Sequence, residues 1–328
     1  MRATIGVIIP KPLKERLFAA ADCARLNGLG EVRWYDGAQH MNVAEAGRFL
    51  AGCDIAVGSW NTPYPCQELL DACPTLRLWE HAGGSVKHMF GPHLRGKNLL
   101  IASCAPTIAE SVAEYTLAAI IAGCRRMLVN AQANRKGGAP KPERALPVSQ
   151  AVIGIIGASL VGRAVIRLLA SFGPRILVYD PFLSPEEAAR LGVEKTDHLA
   201  EMCSICDVVT VHAPAKEDTF KLVNEQVLSA MKDDAVFINT ARGACVDEEA
   251  LVAELQKGRF FAFIDVTDPE PAVDESPLRV LPNVVLTSHI AGGPFPTIGT
   301  QVVDDIARFL EGGRPLFVVS EADLRRVA

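Results

Sequence analysis

The stretch AVIGIIGASLVGRAVIRLL at residues 151–169, followed by ILVYDP at 176–181, decides the fold. The apolar run 152–156 predicts a buried strand, and the apolar spacing over 162–172 predicts a helix. Gly157 and Gly162 fall at the turn between them. A turn of this kind presents backbone N–H groups and the positive end of a helix dipole to a phosphate. A second strand at 175–179 ends on Asp180, ~20 residues past the glycines, where a carboxylate accepts bonds from ribose hydroxyls and repels a 2′-phosphate. The glycine pair alone would mark any tight turn. Its setting of strand, turn, helix, strand and acid predicts a dinucleotide site that prefers NAD(H) to NADP(H). Ser159 stands where such a loop usually has its middle glycine, so its Cβ crowds the phosphate approach while its hydroxyl offers a donor.

The alternation of strand and helix extends in both directions. Downstream, strands are predicted at 208–212, 235–239, 261–266 and 284–286, with helices at 185–191, 224–230 and 248–257. Upstream, apolar runs at 4–9, 54–57, 76–79 and 98–102 alternate with helical patterns at 13–26 and 43–50. Long helical patterns at 108–128 and 297–310 carry the chain out of the first series and back, before a terminal LFVV run. The segment NRKGGAPKPERALPVSQ, residues 134–150, reads as an exposed linker. The expectation is two doubly wound parallel-sheet α/β domains, Rossmann-like and flavodoxin-like, with a cleft between them. The first domain is discontinuous, 1–103 plus 296–328, and binds substrate; the second, 104–295, binds NAD.

Composition narrows the function. A chain of 328 residues exceeds what one core usually serves, and 49% hydrophobic with 22% charged residues is a globular balance. Lys and Arg number 33 against 38 Asp and Glu, a net charge of −5, so there is no basic excess for a nucleic acid backbone. Apolar runs are shorter than the ~20 residues that span a bilayer, and the N-terminal apolar run is too short for a secretory signal. Nine scattered cysteines suit a reducing compartment, so the cytoplasm is expected.

Three downstream segments put polar groups at predicted strand ends: INTARGACVDEEAL with Arg242, IDVTDPEP with Asp265 and Glu270, and VVLTSHIAGG with His289. Ligands of doubly wound sheets bind at the carboxyl ends of strands, so Arg, Glu and His there can converge on one site.

With HAGGSV at 81–86, PTIAESVAEYTLAAIIA at 106–122 and VHAP at 211–214, these motifs stand in one order in which the chain resembles the D-isomer-specific 2-hydroxyacid dehydrogenases from about residue 54 to 312. The resemblance implies an NAD-dependent exchange of hydride between a 2-oxo acid and its D-2-hydroxy acid, and a homodimer. It places Arg242, Glu270 and His289 on the catalytic positions. His289 is the acid/base, Glu270 favours and orients its imidazolium, and Arg242 anchors the substrate carboxylate through its planar fork. It extends cofactor contact from Gly157, Ser159, Gly162 and Asp180 to Leu160, Val161, Ala213, Pro214, Thr219, Thr240, Ala241, Arg242, Asp265, His289 and Gly292, with Asp265 near the nicotinamide amide. Backbone around Gly83, Gly84 and Ser85 binds the carboxylate, and Trp60 and Asn61 meet the substrate side chain, with packing at the domain junction the alternative for Trp60. Leu160 departs from the family's Arg, a missing charge-assisted bond worth ~1.5 to 3 kcal/mol.

A non-catalytic NAD(H)-responsive binding protein on the same fold is the alternative, because fold does not fix function; oxidation of formate or phosphite is a third reading. Cys203 and Cys206 in C-S-I-C lack a second pair and are expected to be core or helix-end thiols. His81, His88 and His93 lie close in sequence, but His81 and His88 belong to different local elements, and no metal site is expected.

Overall fold

The computed structural model describes residues 2–138 and 144–325, and its chain divides into two compact units, 1–108 with 292–328 and 109–291. The junctions fall a few residues from those drawn on the sequence.

The first unit is built on strands β1 (Thr4–Val7), β2 (Glu31–Trp34), β3 (Ile55–Ser59), β4 (Leu78–Ala82) and β5 (Leu100–Ser103). The second carries β6 (Val152–Ile156), β7 (Arg175–Tyr179), β8 (Glu194–Thr196), β9 (Val208–Val211), β10 (Val236–Asn239), β11 (Phe261–Ile264) and β12 (Val284–Leu286); β13 (Val318–Val319) returns to the first. The first sheet runs β13-β5-β4-β3-β1-β2. All its pairings are parallel except β13 on β5. The second runs β12-β11-β10-β9-β6-β7-β8 and is parallel throughout. In the second unit the strand order reverses between β6 and β9, the topological switch point at which open α/β sheets bind ligands.

Sequences such as VIGII, VVTV and VFIN are apolar on successive residues because strands of a covered parallel sheet are buried on both faces. One face of the second sheet packs Val209, Phe237, Leu251 and Ile264, and the other packs Ile153, Val165, Val178 and Ile238. Phe237 is fully buried, which by itself is worth about 1.5 to 3 kcal/mol. In the first unit, Ile5, Val7, Ile55 and Leu78 share a core with Ile298, Val302 and Ile306 of the helix Pro296–Leu310.

Several elements differ from the sequence expectation. The pattern at 13–26 is two helices, Lys11–Leu17 and Ala20–Leu29, because Phe18 turns extended at φ −119° and ψ 121°. The pattern at 108–128 is the helix Ala105–Cys124 followed by Met127–Arg135. The break lies at Arg126, in the left-handed region at φ 52°, whose guanidinium stacks 4.9 Å from the Phe261 ring and donates to the Asp234 carbonyl. The expected linker 134–150 thus begins in a helix and ends with Val148 buried, and its residues 139–143 lie outside the described residues. Strands β2 and β8 and the helices Gln67–Ala72 and Leu199–Ile205 have no counterpart in the sequence reading. The two strands are edge elements, EVRW and EKT, whose charges break the apolar pattern.

The helix Ala105–Cys124 is long and apolar enough by composition to cross a bilayer. Its Ala113, Ala119, Ile120 and Cys124 are nevertheless built into the core of the second unit.

Candidate active site

At the switch point, β6 ends in a turn that only glycine fits. Gly157 has φ +99°, and a Cβ there would stand 2.8 Å from the Ala213 backbone nitrogen; one on Gly162 would stand 2.1 Å from the Gly157 carbonyl oxygen. The helix Leu160–Leu169 can therefore start hard against β6 and β9. Ser159 is its N-cap: the hydroxyl accepts from the Gly162 N–H at 3.3 Å, in ordinary extended backbone at φ −66°. This explains a serine in place of the usual glycine, since the cap satisfies a helix-end donor and leaves the O–H proton for an outside acceptor. Leu160 is exposed at 41% and Val161 is half-buried.

Asp180, just past β7, ties the turn together. Its carboxylate accepts from the Ala158 N–H at 2.7 Å and the Phe182 N–H at 2.7 Å, one on each oxygen. Each oxygen keeps a second lone pair for a hydroxyl donor. After β9 come buried Ala213, then Pro214, whose carbonyl accepts from the Thr219 hydroxyl at 2.5 Å and closes the loop. A glycine cradle, a helix N-terminus and an acid at the next strand end fit a dinucleotide's pyrophosphate and ribose. Two residues at this turn escaped the sequence reading. Arg163 donates through Nε to the Ala158 carbonyl at 2.8 Å and pairs with Glu187 at 3.2 Å. His212 is buried, bonds Thr210 at 3.0 Å and is pushed by burial down to about 3, so its imidazole is neutral.

Loops after the adjacent strands β10, β11 and β12 carry Arg242, Glu270 and His289. His289 Nδ1 lies 2.5 Å from Glu270 Oε1, with the two side chains 45% and 40% exposed. Arg242 is half-buried, donates to its neighbour's carbonyl on Ala241 at 2.6 Å, and has no ion-pair partner among the described residues. Gly243 lies so close to the β11 loop that a Cβ would stand 2.1 Å from the Thr267 carbonyl oxygen. The structure thus brings His289 and Glu270 into contact and sets Arg242 on the same edge of the sheet, without a hydrogen bond to either. Thr240 and Ala241 are buried before it.

Asp265, expected beside a nicotinamide amide, is 2% exposed and serves its own loop. It accepts from the Thr287 hydroxyl at 2.6 Å, the Ile290 N–H at 2.9 Å and the Ala291 N–H at 3.0 Å. Gly292 opens the C-terminal segment of the other unit.

The residues expected around the substrate carboxylate belong to the first unit. Trp60 packs against the core of Ile5 and Val7, and Asn61 takes the left-handed region at φ 60°. The carbonyls of Gly83 and Gly84 are drawn to the Ser103 hydroxyl, at 3.3 and 2.6 Å, and Ser85 follows them. His81 and His88, assigned to separate elements by the sequence, have rings 6.4 Å apart, and His88 also meets Tyr64 edge-on at 5.1 Å. Burial, with the charge of His88 second, pushes His81 down to about 3.

Cys203 and Cys206 are fully buried and their thiols are pushed up to about 12, chiefly by burial, as inert core thiols are. Among the described residues no group of three or more His, Cys, Asp and Glu is arranged to hold a metal ion.

Residues 117–291 match the model of the D-isomer specific 2-hydroxyacid dehydrogenase NAD binding domain. A glyoxylate reductase of Thermofilum pendens is 33% identical over 268 residues, 79% of each chain. A D-3-phosphoglycerate dehydrogenase of Methanocaldococcus jannaschii is 29% identical over 94% of this chain, which spans 58% of that protein's length. The solved NADPH-dependent glyoxylate/hydroxypyruvate reductase of Sinorhizobium meliloti, in complex with citrate, superposes with a TM-score of 0.76 at 26% identity over 98% of both chains. A phosphoglycerate oxidoreductase from Rhizobium etli gives 0.79 at 25% identity, covering 97% and 98%. The fold and the ordered motifs thus define an α/β protein with a Rossmann-type unit, and the chain belongs to the D-isomer-specific 2-hydroxyacid dehydrogenase family.

Proposed function

We propose that the protein interconverts a 2-oxo acid and its D-2-hydroxy acid and prefers NAD(H) to NADP(H). The observation that carries this reading is the His289–Glu270 pair at 2.5 Å, one strand away from an Arg242 with no acidic partner among the described residues. A bound nicotinamide would supply hydride to the carbonyl carbon, or accept it in the reverse direction. As negative charge grows on the carbonyl oxygen, His289 delivers a proton to it. Nδ1 faces Glu270, so Nε2 is the nitrogen left to exchange that proton. Glu270 fixes the ring and stabilises the imidazolium by opposite charge. Arg242 offers parallel donors to a carboxylate, and this bidentate geometry also orients the carbonyl beside it.

The pyrophosphate of the cofactor would lie on the turn of Gly157, Ser159, Leu160, Val161 and Gly162, with Asp180 toward the ribose. The preference for NAD rests on Asp180, whose charge repels a 2′-phosphate. The relative of known structure from Sinorhizobium meliloti is described as NADPH-dependent, so the preference needs a direct test.

The test is the loss of NADH or NADPH absorbance with glyoxylate, hydroxypyruvate, pyruvate, 2-oxoisocaproate and phenylpyruvate, for the wild type, Arg242→Ala and His289→Gln. Turnover that favours NADH and drops by about 10²-fold or more in His289→Gln supports the proposal. NADH binding with no turnover of any acid would favour a ligand-responsive binding protein instead.

A further inference from the structure

Two consecutive residues of the helix Ala105–Cys124 reach the two loops that carry Arg242 and His289. The Tyr115 hydroxyl lies 2.8 Å from Thr287 Oγ1, and Thr116 Oγ1 lies 3.1 Å from Thr240 Oγ1. Thr116 is fully buried and Thr240 nearly so.

The direction of the first contact follows from proton counting. Thr287 has one hydroxyl proton, and Asp265 Oδ1 at 2.6 Å accepts it. Tyr115 must then donate to Thr287. Burial pushes the Tyr115 hydroxyl above its ordinary value, with the Thr287 hydrogen bond acting against it and the charge of Asp265 with it. The next members of the network hold the catalytic turn. The Asp265 carboxylate takes the N–H groups of Ile290 and Ala291, and its carbonyl takes the His289 N–H at 2.8 Å. His289 itself has φ +53°, a left-handed conformation that a residue with a Cβ adopts only when its surroundings impose it. These bonds wrap residues 287–291 around Asp265.

The second contact ends on the other loop. Thr240 precedes Arg242 by two positions, and the same loop is closed by Asn239, which accepts from the Ala241 N–H at 3.1 Å and donates to the Arg242 carbonyl at 3.1 Å. One rigid helix therefore touches both loops through adjacent side chains.

We infer that Tyr115 and Thr116 are positioning residues that set His289 and Arg242 relative to each other, Tyr115 through Thr287 and Asp265, and Thr116 through Thr240. This rests on the roles proposed above for His289 and Arg242. Because Tyr115 acts on the proton donor and Thr116 on the anchor, their loss should divide between kinetic parameters, which general loosening of a helix would not produce.

The experiment measures kcat, KM for glyoxylate, NADH affinity by fluorescence and melting temperature in the intact protein for Tyr115→Phe, Thr116→Val, Thr116→Ser, Thr287→Val and Thr287→Ser, with His289→Gln and Arg242→Ala as references. Tyr115→Phe is expected to lower kcat by about 5- to 10-fold with KM changed less than about twofold, and Thr116→Val to raise KM by about 5- to 10-fold with kcat nearly kept. Thr116→Ser and Thr287→Ser, which keep the hydroxyl, should restore wild-type values. Thr287→Val should reproduce Tyr115→Phe, and the double variant should be no worse than either, the sign of one shared pathway. Parallel loss of kcat, KM, NADH affinity and melting temperature in both helix variants would overturn the inference, as would wild-type kinetics in both while His289→Gln and Arg242→Ala are impaired. If those two references are themselves unimpaired, the functional proposal falls and the inference falls with it.

Discussion

Gly243 lies against the backbone of Thr267 with no room for a single methyl group: an added Cβ would stand 2.1 Å from both the Thr267 carbonyl carbon and its oxygen. This contact joins the loop of Arg242 to the loop that leads to Glu270. The neighbours are main-chain atoms and cannot swing aside, so Gly243→Ala must push the loops apart at about 1 to 3 kcal/mol. We expect kcat/KM to fall by about tenfold or more. Activity close to wild type in a protein of lowered melting temperature would separate the contact from the site.

Removing the charge from the pair with His289 should cost less than removing the imidazole. Glu270→Gln keeps a hydrogen-bonding group near Nδ1 but gives up the stabilisation of imidazolium, so kcat should fall by about 10-fold, against about 10²-fold or more for His289→Gln. Steady-state rates at one fixed pH decide the order. Equal losses in the two variants would show that Glu270 does more than orient and stabilise the ring.

The turn at Ser159 and Leu160 offers a gain-of-function test. Leu160 is exposed at the first position of its helix, beside the capping Ser159. Leu160→Arg would add a charge-assisted bond to a pyrophosphate, worth ~1.5 to 3 kcal/mol, so the Kd for NADH should drop by about 10- to 100-fold. The gain should shrink as salt rises. Calorimetric titration that finds no tightening at low salt would place the pyrophosphate away from this helix end.

The Asp180 carboxylate is held by two backbone N–H groups and carries the case for NAD over NADP. Asp180→Ala should weaken NADH binding by about 10-fold or more and bring the Kd values of NADH and NADPH closer together. Titrations with both nucleotides read this directly, and an unchanged ratio would remove Asp180 from the ribose.

Glu80 predicts a pH dependence of stability in the first unit. It is fully buried on β4, its Oε2 has no hydrogen-bond partner among the described residues, and burial, followed by the charge of Asp305, pushes its carboxyl well above 4.5. The folded protein therefore keeps a proton that the unfolded chain releases near 4.5. The stability due to that proton is complete below this value and is lost as pH rises through the folded-state value. Glu80→Gln removes the titration, so its advantage over wild type should grow from pH about 4.5 upward until Glu80 is ionised. Urea unfolding across that range tests the sign; a constant difference would mean that Glu80 does not titrate in the core.

What the sequence discloses depends on the distance over which a residue acts. Gly157, Gly162 and Asp180 belong to one local βαβ pattern, so a short window of sequence is enough to set them at the β6 turn and the end of β7. His289 and Glu270 are 19 positions apart and follow neighbouring strands, so the parallel topology alone brings them to one edge. The work of Asp265 was not legible, because its acceptor role depends on how residues 287–291 curl back. Tyr115 and Thr287, 172 positions apart, carry no local signal for each other. Edge strands were missed for a related reason: EKT pairs on one side only, so the apolar pattern that reveals β6 or β9 is not required of it.

The discontinuity of the first unit has a consequence for the order of events on the ribosome. Its core needs Ile298, Val302, Val303 and Ile306, which are translated after every residue of the second unit. The N-terminal segment therefore emerges first yet waits with part of its apolar surface uncovered, while the segment that emerges second completes its own sheet before it. Domains elsewhere tend to fold in order of synthesis. The discontinuity predicts the inverse order here, and a chain truncated after residue 291 and released from the ribosome should already protect the second sheet from protease while the first remains open to cleavage.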